Sequence, residues 1–141
     1  MTKLLIIILS SIFLLSPSFS FAQPVHLSPL QWTVTNTAAA NGTPSATKAA
    51  VADTRHVATS ITACVSVSTT VATTLRVDLK DDTTVVWTGF VNVPTTTSAN
   101  QCILLSGLNI VGTTNKNMIL AFAAVLGTTN TGTVTLTGYS L

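Results

Sequence analysis

The strongest constraint on the fold lies in residues 74–94, TLRVDLKDDTTVVWTGFVNVP. Leu75, Val77 and Leu79 alternate with Arg76, Asp78 and Lys80, the two-residue period of a strand with one buried face. A polar stretch from Asp81 to Thr84 supplies a turn. Val85, Trp87, Gly89, Val91 and Val93 then share one face of a second strand, which Pro94 ends. Face matching chooses the register. A three-residue loop, Asp81-Asp82-Thr83, sets Leu79 against Val85, Val77 against Trp87 and Leu75 against Gly89. A two-residue loop sets those same residues against Thr84, Val86 and Thr88 and leaves Trp87 on the wrong side. The longer loop is therefore expected, with Trp87 as the core anchor between sheets. Arg76 points outward, and its truncation to alanine is expected to change stability by less than about 0.5 kcal/mol.

The chain opens with the layout of a signal peptide. Lys3 gives a basic start, and residues 4–15 are apolar except for Ser10 and Ser11. Ser16-Pro17 ends that run, and Ser20-Phe21-Ala22 has the small-x-small spacing that signal peptidase reads. The run is well short of the ~20 residues of a membrane anchor. Residues 1–22 are therefore read as a signal peptide, 23–29 as a mobile arm with no usable pattern, and 30–141 as one domain. The expected product is secreted, extracellular or periplasmic, with no membrane attachment after cleavage.

From Gln23 onward the charges are Lys48, Arg55, Arg76, Lys80 and Lys116 against Asp53, Asp78, Asp81 and Asp82, with no Glu. So small and scattered an excess does not suit nucleic acid. Thr supplies 26 of those 119 residues. It is β-branched and polar, so it keeps the solvent face of a strand wet without charge, and it disfavours helix. Cys64 and Cys102 form an even pair in a chain expected to leave the cytosol, which points to a disulfide. In ITACVSVS, however, Ile61, Ala63, Val65 and Val67 share one face and Cys64 lies on the other. The bridge belongs on the outer face or needs a bulge to turn it inward.

Strands are expected at residues 30–37, 48–52, 56–68, 103–108, with a bend at Gly107, and 133–141, beside the central hairpin. Asn41-Gly42 marks a turn, and residues 95–101 form a polar loop. The tetrapeptide Gly-Thr-Thr-Asn occurs at 112–115 and again at 127–130, bracketing an apolar run at 118–126. It reads as one turn used twice around a buried strand. Seven or eight strands separated by polar turns predict an all-β antiparallel sandwich of jelly-roll type.

Catalytic signals are sparse. Asp53-Thr54-Arg55-His56 gathers an acid, a cation and an imidazole, but without a nucleophile or oxyanion motif. It is read as the polar start of a strand, with Arg55 paired to Asp53. Asp78, Asp81 and Asp82 lack the spaced oxygen ligands of a calcium loop, and two cysteines with isolated histidines give zinc little to bind. No enzyme, cofactor or metal is expected.

The order RHV, an alternating Ile/Val strand, VDLKDDTTVVWTGFVNVP, GLNIVGTTN and a terminal TLTGY resembles small β-sandwich structural proteins of tailed phages and prophages. Val86-Trp87, Gly112-Thr113-Asn115 and Gly138-Tyr139 carry the likeness, which extends over residues 48–141. Low charge and the lysine-free strands expected at 56–68 and 118–126 predict a homo-oligomer; the resemblance implies that it is a trimer, with a virion-associated or fibre-like structural role without catalysis and a virion or cell-surface partner. A signal peptide departs from that pattern and leaves open a lectin-like secreted binding module. Trp32, Trp87, Phe90, Phe122 and Tyr139 mostly occupy core-like strand positions, which favours assembly over a sugar-stacking platform.

Overall fold

The computed structural model describes residues 30–67, 73–93, 99–124, 126–127 and 130–141. The expected signal peptide and arm lie outside the described residues, as do positions 95–98 of the expected loop. The described chain forms eight strands: β1 (Leu30–Ala38), β2 (Ser45–Lys48), β3 (His56–Val67), β4 (Thr73–Asp81), β5 (Thr84–Val93), β6 (Ala99–Val111), β7 (Met118–Phe122) and β8 (Thr131–Ser140). They build two antiparallel sheets, ordered β1-β8-β3-β6 and β2-β7-β4-β5. Each strand of the first half pairs with its mirror counterpart in the second: β1 with β8, β2 with β7, β3 with β6, β4 with β5. Among the described strands, only β4 and β5 pair as sequence neighbours.

The sheets face each other across one core, giving the expected all-β, sandwich-like arrangement. Ile61, Ala63, Val65 and Val67 of β3, with Val134 and Leu136 of β8, share a cluster with Leu75, Val77 and Leu79 of β4 and Leu120 and Phe122 of β7. These are the inward sets of each two-residue period. The outer face of the first sheet is uncharged and, Leu104 apart, largely polar. Thr33–Thr137, Thr35–Thr135 and Thr37–Thr133 join hydroxyls across β1 and β8 at 3.2, 3.0 and 2.9 Å. Thr thus does the surface work its abundance suggested, through cross-strand pairs.

The hairpin corrects the expected register. Its loop has two residues, Asp82-Thr83, with Asp81 opposite Thr84 and Lys80 opposite Val85. Asp82 takes φ 57°, a left-handed conformation that Asp tolerates. Continued unchanged, that register would place Trp87 opposite Asp78, on the outer face. A bulge at Val86 restores the phase, so Leu79 faces Trp87, Val77 faces Gly89 and Leu75 faces Val91. Val85, expected inside, is exposed. Trp87 is half-buried against the core, and its ring occupies the space above Gly89 that a Cβ there would need. A bulge is invisible to face matching because it changes the parity on which the matching rests.

Other boundaries moved less. β6 starts earlier than expected and runs through its bend: Gly107 has φ 72°, and residues 107–109 bulge opposite Thr59. The second short strand is Ser45–Lys48, not 48–52. β7 ends at Phe122, after which Leu126 donates its amide to the Gly42 carbonyl at 3.1 Å. The repeated tetrapeptide is not one turn used twice. In the first copy Asn115 has positive φ (62°), whereas in the second it is Gly127 (86°); residues 128–129 lie outside the described residues.

Candidate functional site

Asp53, Arg55, His56, Asp81 and Asp82, picked out in the sequence, converge at one end of the sandwich. β3 begins there at His56, the β4–β5 turn carries Asp81 and Asp82, and the loop 112–117 follows β6. The Asp81 carboxylate accepts from the Thr113 amide at 2.9 Å and from the Thr113 hydroxyl. Asp82 donates its amide to the Asn117 carbonyl at 2.8 Å, and its carboxylate meets Lys116 Nζ at 3.1 Å. Asn115 Oδ1 accepts from the Asp53 amide at 2.6 Å, and Asn117 Oδ1 from the Ala50 amide at 2.8 Å. Arg55 Nε donates to Thr114 Oγ1 at 3.0 Å rather than pairing with Asp53 as expected. Asp53 sits at φ 56° in a tight turn closed by the bond from the Thr54 amide to the Val51 carbonyl. The Arg55 backbone exchanges two 2.9 Å hydrogen bonds with Leu141, so the C-terminus is tied into the same cluster.

His56 is fully buried beneath these loops. Its Nε2 lies 2.8 Å from the Ala49 carbonyl, which can only accept, so Nε2 carries the proton. Nδ1 meets the Ser140 hydroxyl at 3.0 Å, and the ring stands edge-on to Trp32 at 5.8 Å. Both imidazole nitrogens are thus held within the fold. Among the described residues, no three His, Cys, Asp or Glu side chains are placed to share a metal ion. Chemically, the cluster is a latch that joins three loops and the C-terminus.

Asp78 sits on the outward side of β4 yet is only 1% exposed. Arg76 reaches its Oδ2 with Nε at 3.1 Å and Nη2 at 2.7 Å, and Thr88 donates to Oδ1 at 2.8 Å. Burial works to raise the Asp78 pKa, but the Arg76 and Thr88 hydrogen bonds and the Arg76 and Lys80 charges outweigh it and hold it below the ordinary 3.8. Arg76 is therefore not the free outward residue the alternation suggested. Because Arg76 is 53% exposed, solvent screening keeps its contribution modest. Arg76→Ala should cost about 1–2 kcal/mol at pH 7. A carboxylate with a depressed folded pKa stabilises fully above its unfolded pKa, and that contribution is lost as pH falls through the folded value. Urea unfolding should show wild type weakening below pH 4 more steeply than Asp78→Asn. Parallel acid limbs would contradict this role for Asp78.

The expected disulfide is present: Cys64 of β3 and Cys102 of β6 face each other directly, with Cα atoms 4.1 Å apart, on the outer face. No bulge turns it inward. A shallow groove of about 220 Å³ lies over it, lined mainly by Ser66, Asn100, Thr131, Thr133 and the two cysteines. That is smaller than the roughly 300 Å³ at which ligand clefts begin. No protein-family model matches this chain, and neither does any curated protein.

Proposed function

We propose that this chain is an exported, non-enzymatic structural module that acts by associating with copies of itself and is built as a jelly roll. One observation carries the reading. The polar side chains that could do chemistry are spent on tying loops together, while among the described residues one side is left open and uncharged. That side is formed by β5 and β6, the edge strands at corresponding ends of the two sheets. Neither contains a charge or a proline, the devices by which monomeric sheet proteins guard their edges. Phe90 on β5 and Leu104 on β6 are 56% and 71% exposed.

The mirror pairing of eight strands in two four-stranded sheets supports the jelly-roll reading. The disulfide supports export, because such bonds persist in oxidising compartments. The lysine-free strands β3 and β7, the second only five residues long, need no partner chain, since both lie inside their sheets. The demand for a partner falls on the edges instead. Light scattering on size-separated protein, at micromolar concentration without detergent, should give a multiple of the chain mass. A monomer throughout would sink the assembly reading and favour a secreted binding module.

A further inference from the structure

We propose that two copies of this chain join edge to edge through β6, antiparallel about a two-fold axis at Leu104, so that the first sheet continues from one copy into the other. The inference rests on the self-association reading and adds the surface, the register and the stoichiometry.

The register follows from the cysteines. In an antiparallel pair, directly opposed residues alternate between hydrogen-bonded pairs, with Cα atoms about 5.5 Å apart, and non-hydrogen-bonded pairs at about 4.5 Å. The Cys64–Cys102 separation of 4.1 Å places that pair in the second class. The N–H and C=O of Cys102 therefore point away from β3. By the two-residue period, those of Asn100, Leu104 and Ser106 do the same. β6 is an edge strand, so among the described residues these groups form a row with no neighbouring strand. Beyond Ser106 the bulge at residues 107–109 breaks the row.

A strand of this kind is complementary to itself. With Leu104 opposite the partner's Leu104, Cys102 falls opposite the partner's Ser106 and Ser106 opposite the partner's Cys102. These are all outward-facing residues, enough for about six backbone hydrogen bonds. The two Leu104 side chains, each 71% exposed in the single chain, then stand side by side on the outer face. The bulge ends the pairing at corresponding points on both copies, which fixes its length. Charge does not oppose the approach, since the full chain carries a formal net charge of only +2. The other edge of this sheet, β1, is also uncharged, but its middle presents Thr33, Thr35 and Thr37, whose hydroxyls already bond to β8. β2 has only four residues and ends in Lys48.

The test compares wild type with Leu104→Lys and Phe90→Lys at roughly 100 μM, far above a micromolar Kd, by light scattering and amide exchange. Leu104→Lys puts on β6 the guard that monomers use at a site already in solvent, so the fold should be retained, with the melting temperature of dilute, monomeric wild type. Wild type and Phe90→Lys should have twice the chain mass, and Leu104→Lys the single mass. Exchange at the Leu104 amide should slow by at least about tenfold when wild type is concentrated. A trimeric mass, or a dimer that Leu104→Lys leaves intact, would overturn the β6 interface while sparing the self-association reading. A wild-type monomer at this concentration would overturn both.

Discussion

Replacing Cys64 and Cys102 together by serine should lower stability by about 4 kcal/mol, because the bridge closes a loop between residues 38 apart and its main effect is on the unfolded chain. The expected fall in Tm is on the order of 15 °C. The folded state should change little, since the bridge lies on the outer face and β3 and β6 are held independently by their backbone ladder. Intact mass before and after reduction establishes the bond, and paired denaturant titrations give its energy. A loss below about 1 kcal/mol would show that the unfolded chain is not constrained as loop closure supposes.

Gly138→Ala should be nearly as damaging, at about 3 kcal/mol or more. Gly138 lies in β8 between β1 and β3, opposite Trp32 and Ala58. A Cβ there would run into the Val57 carbonyl oxygen and lie 2.6 and 2.8 Å from the Trp32 ring. Removing Trp32 cannot relieve the clash, because the nearest atom is backbone of the neighbouring strand. Gly107→Ala is the informative control. It meets no atom within 4 Å but keeps φ 72°, so it should cost only the roughly 1–2 kcal/mol of a left-handed L-residue. Equal effects from the two substitutions, by thermal or urea unfolding, would contradict the packing described for Trp32 and Gly138.

These glycines show what was legible in the sequence and what was not. Strand periodicity located β1, β3 and the central hairpin, because burying one face imposes a two-residue period that survives in the residues themselves. The outer-face position of Cys64 was legible for the same reason. Features that depend on pairing partners were not. The displaced start of β6 and the early end of β7 are set by neighbouring strands far away in sequence, and the Val86 bulge by how β5 pairs with β4. The latch was half visible: Asp53, Arg55, His56, Asp81 and Asp82 all stood out, but their partners Thr113, Asn115, Lys116 and Asn117 come from a loop that looked like a simple turn. Only the tertiary fold brings the two sets together. Asp78 was misread because alternation reports which face a side chain leaves from, and Arg76 folds over that face to bury it.

The positions of the latch, the disulfide and the open edge all follow from the strand order, so a direct reading of that order tests the account most sharply. In antiparallel sheets, Cα hydrogens approach closely only in non-hydrogen-bonded pairs. The cysteine pair sets that phase on β3: Thr62 should contact Leu104 of β6, and Ala63 and Ile61 should contact Val134 and Leu136 of β8. Nuclear Overhauser contacts between Cα hydrogens should appear for all three pairs, with none joining β3 to β4. Contacts linking β3 to β4 as a hairpin would describe a meander and contradict the two-sheet order.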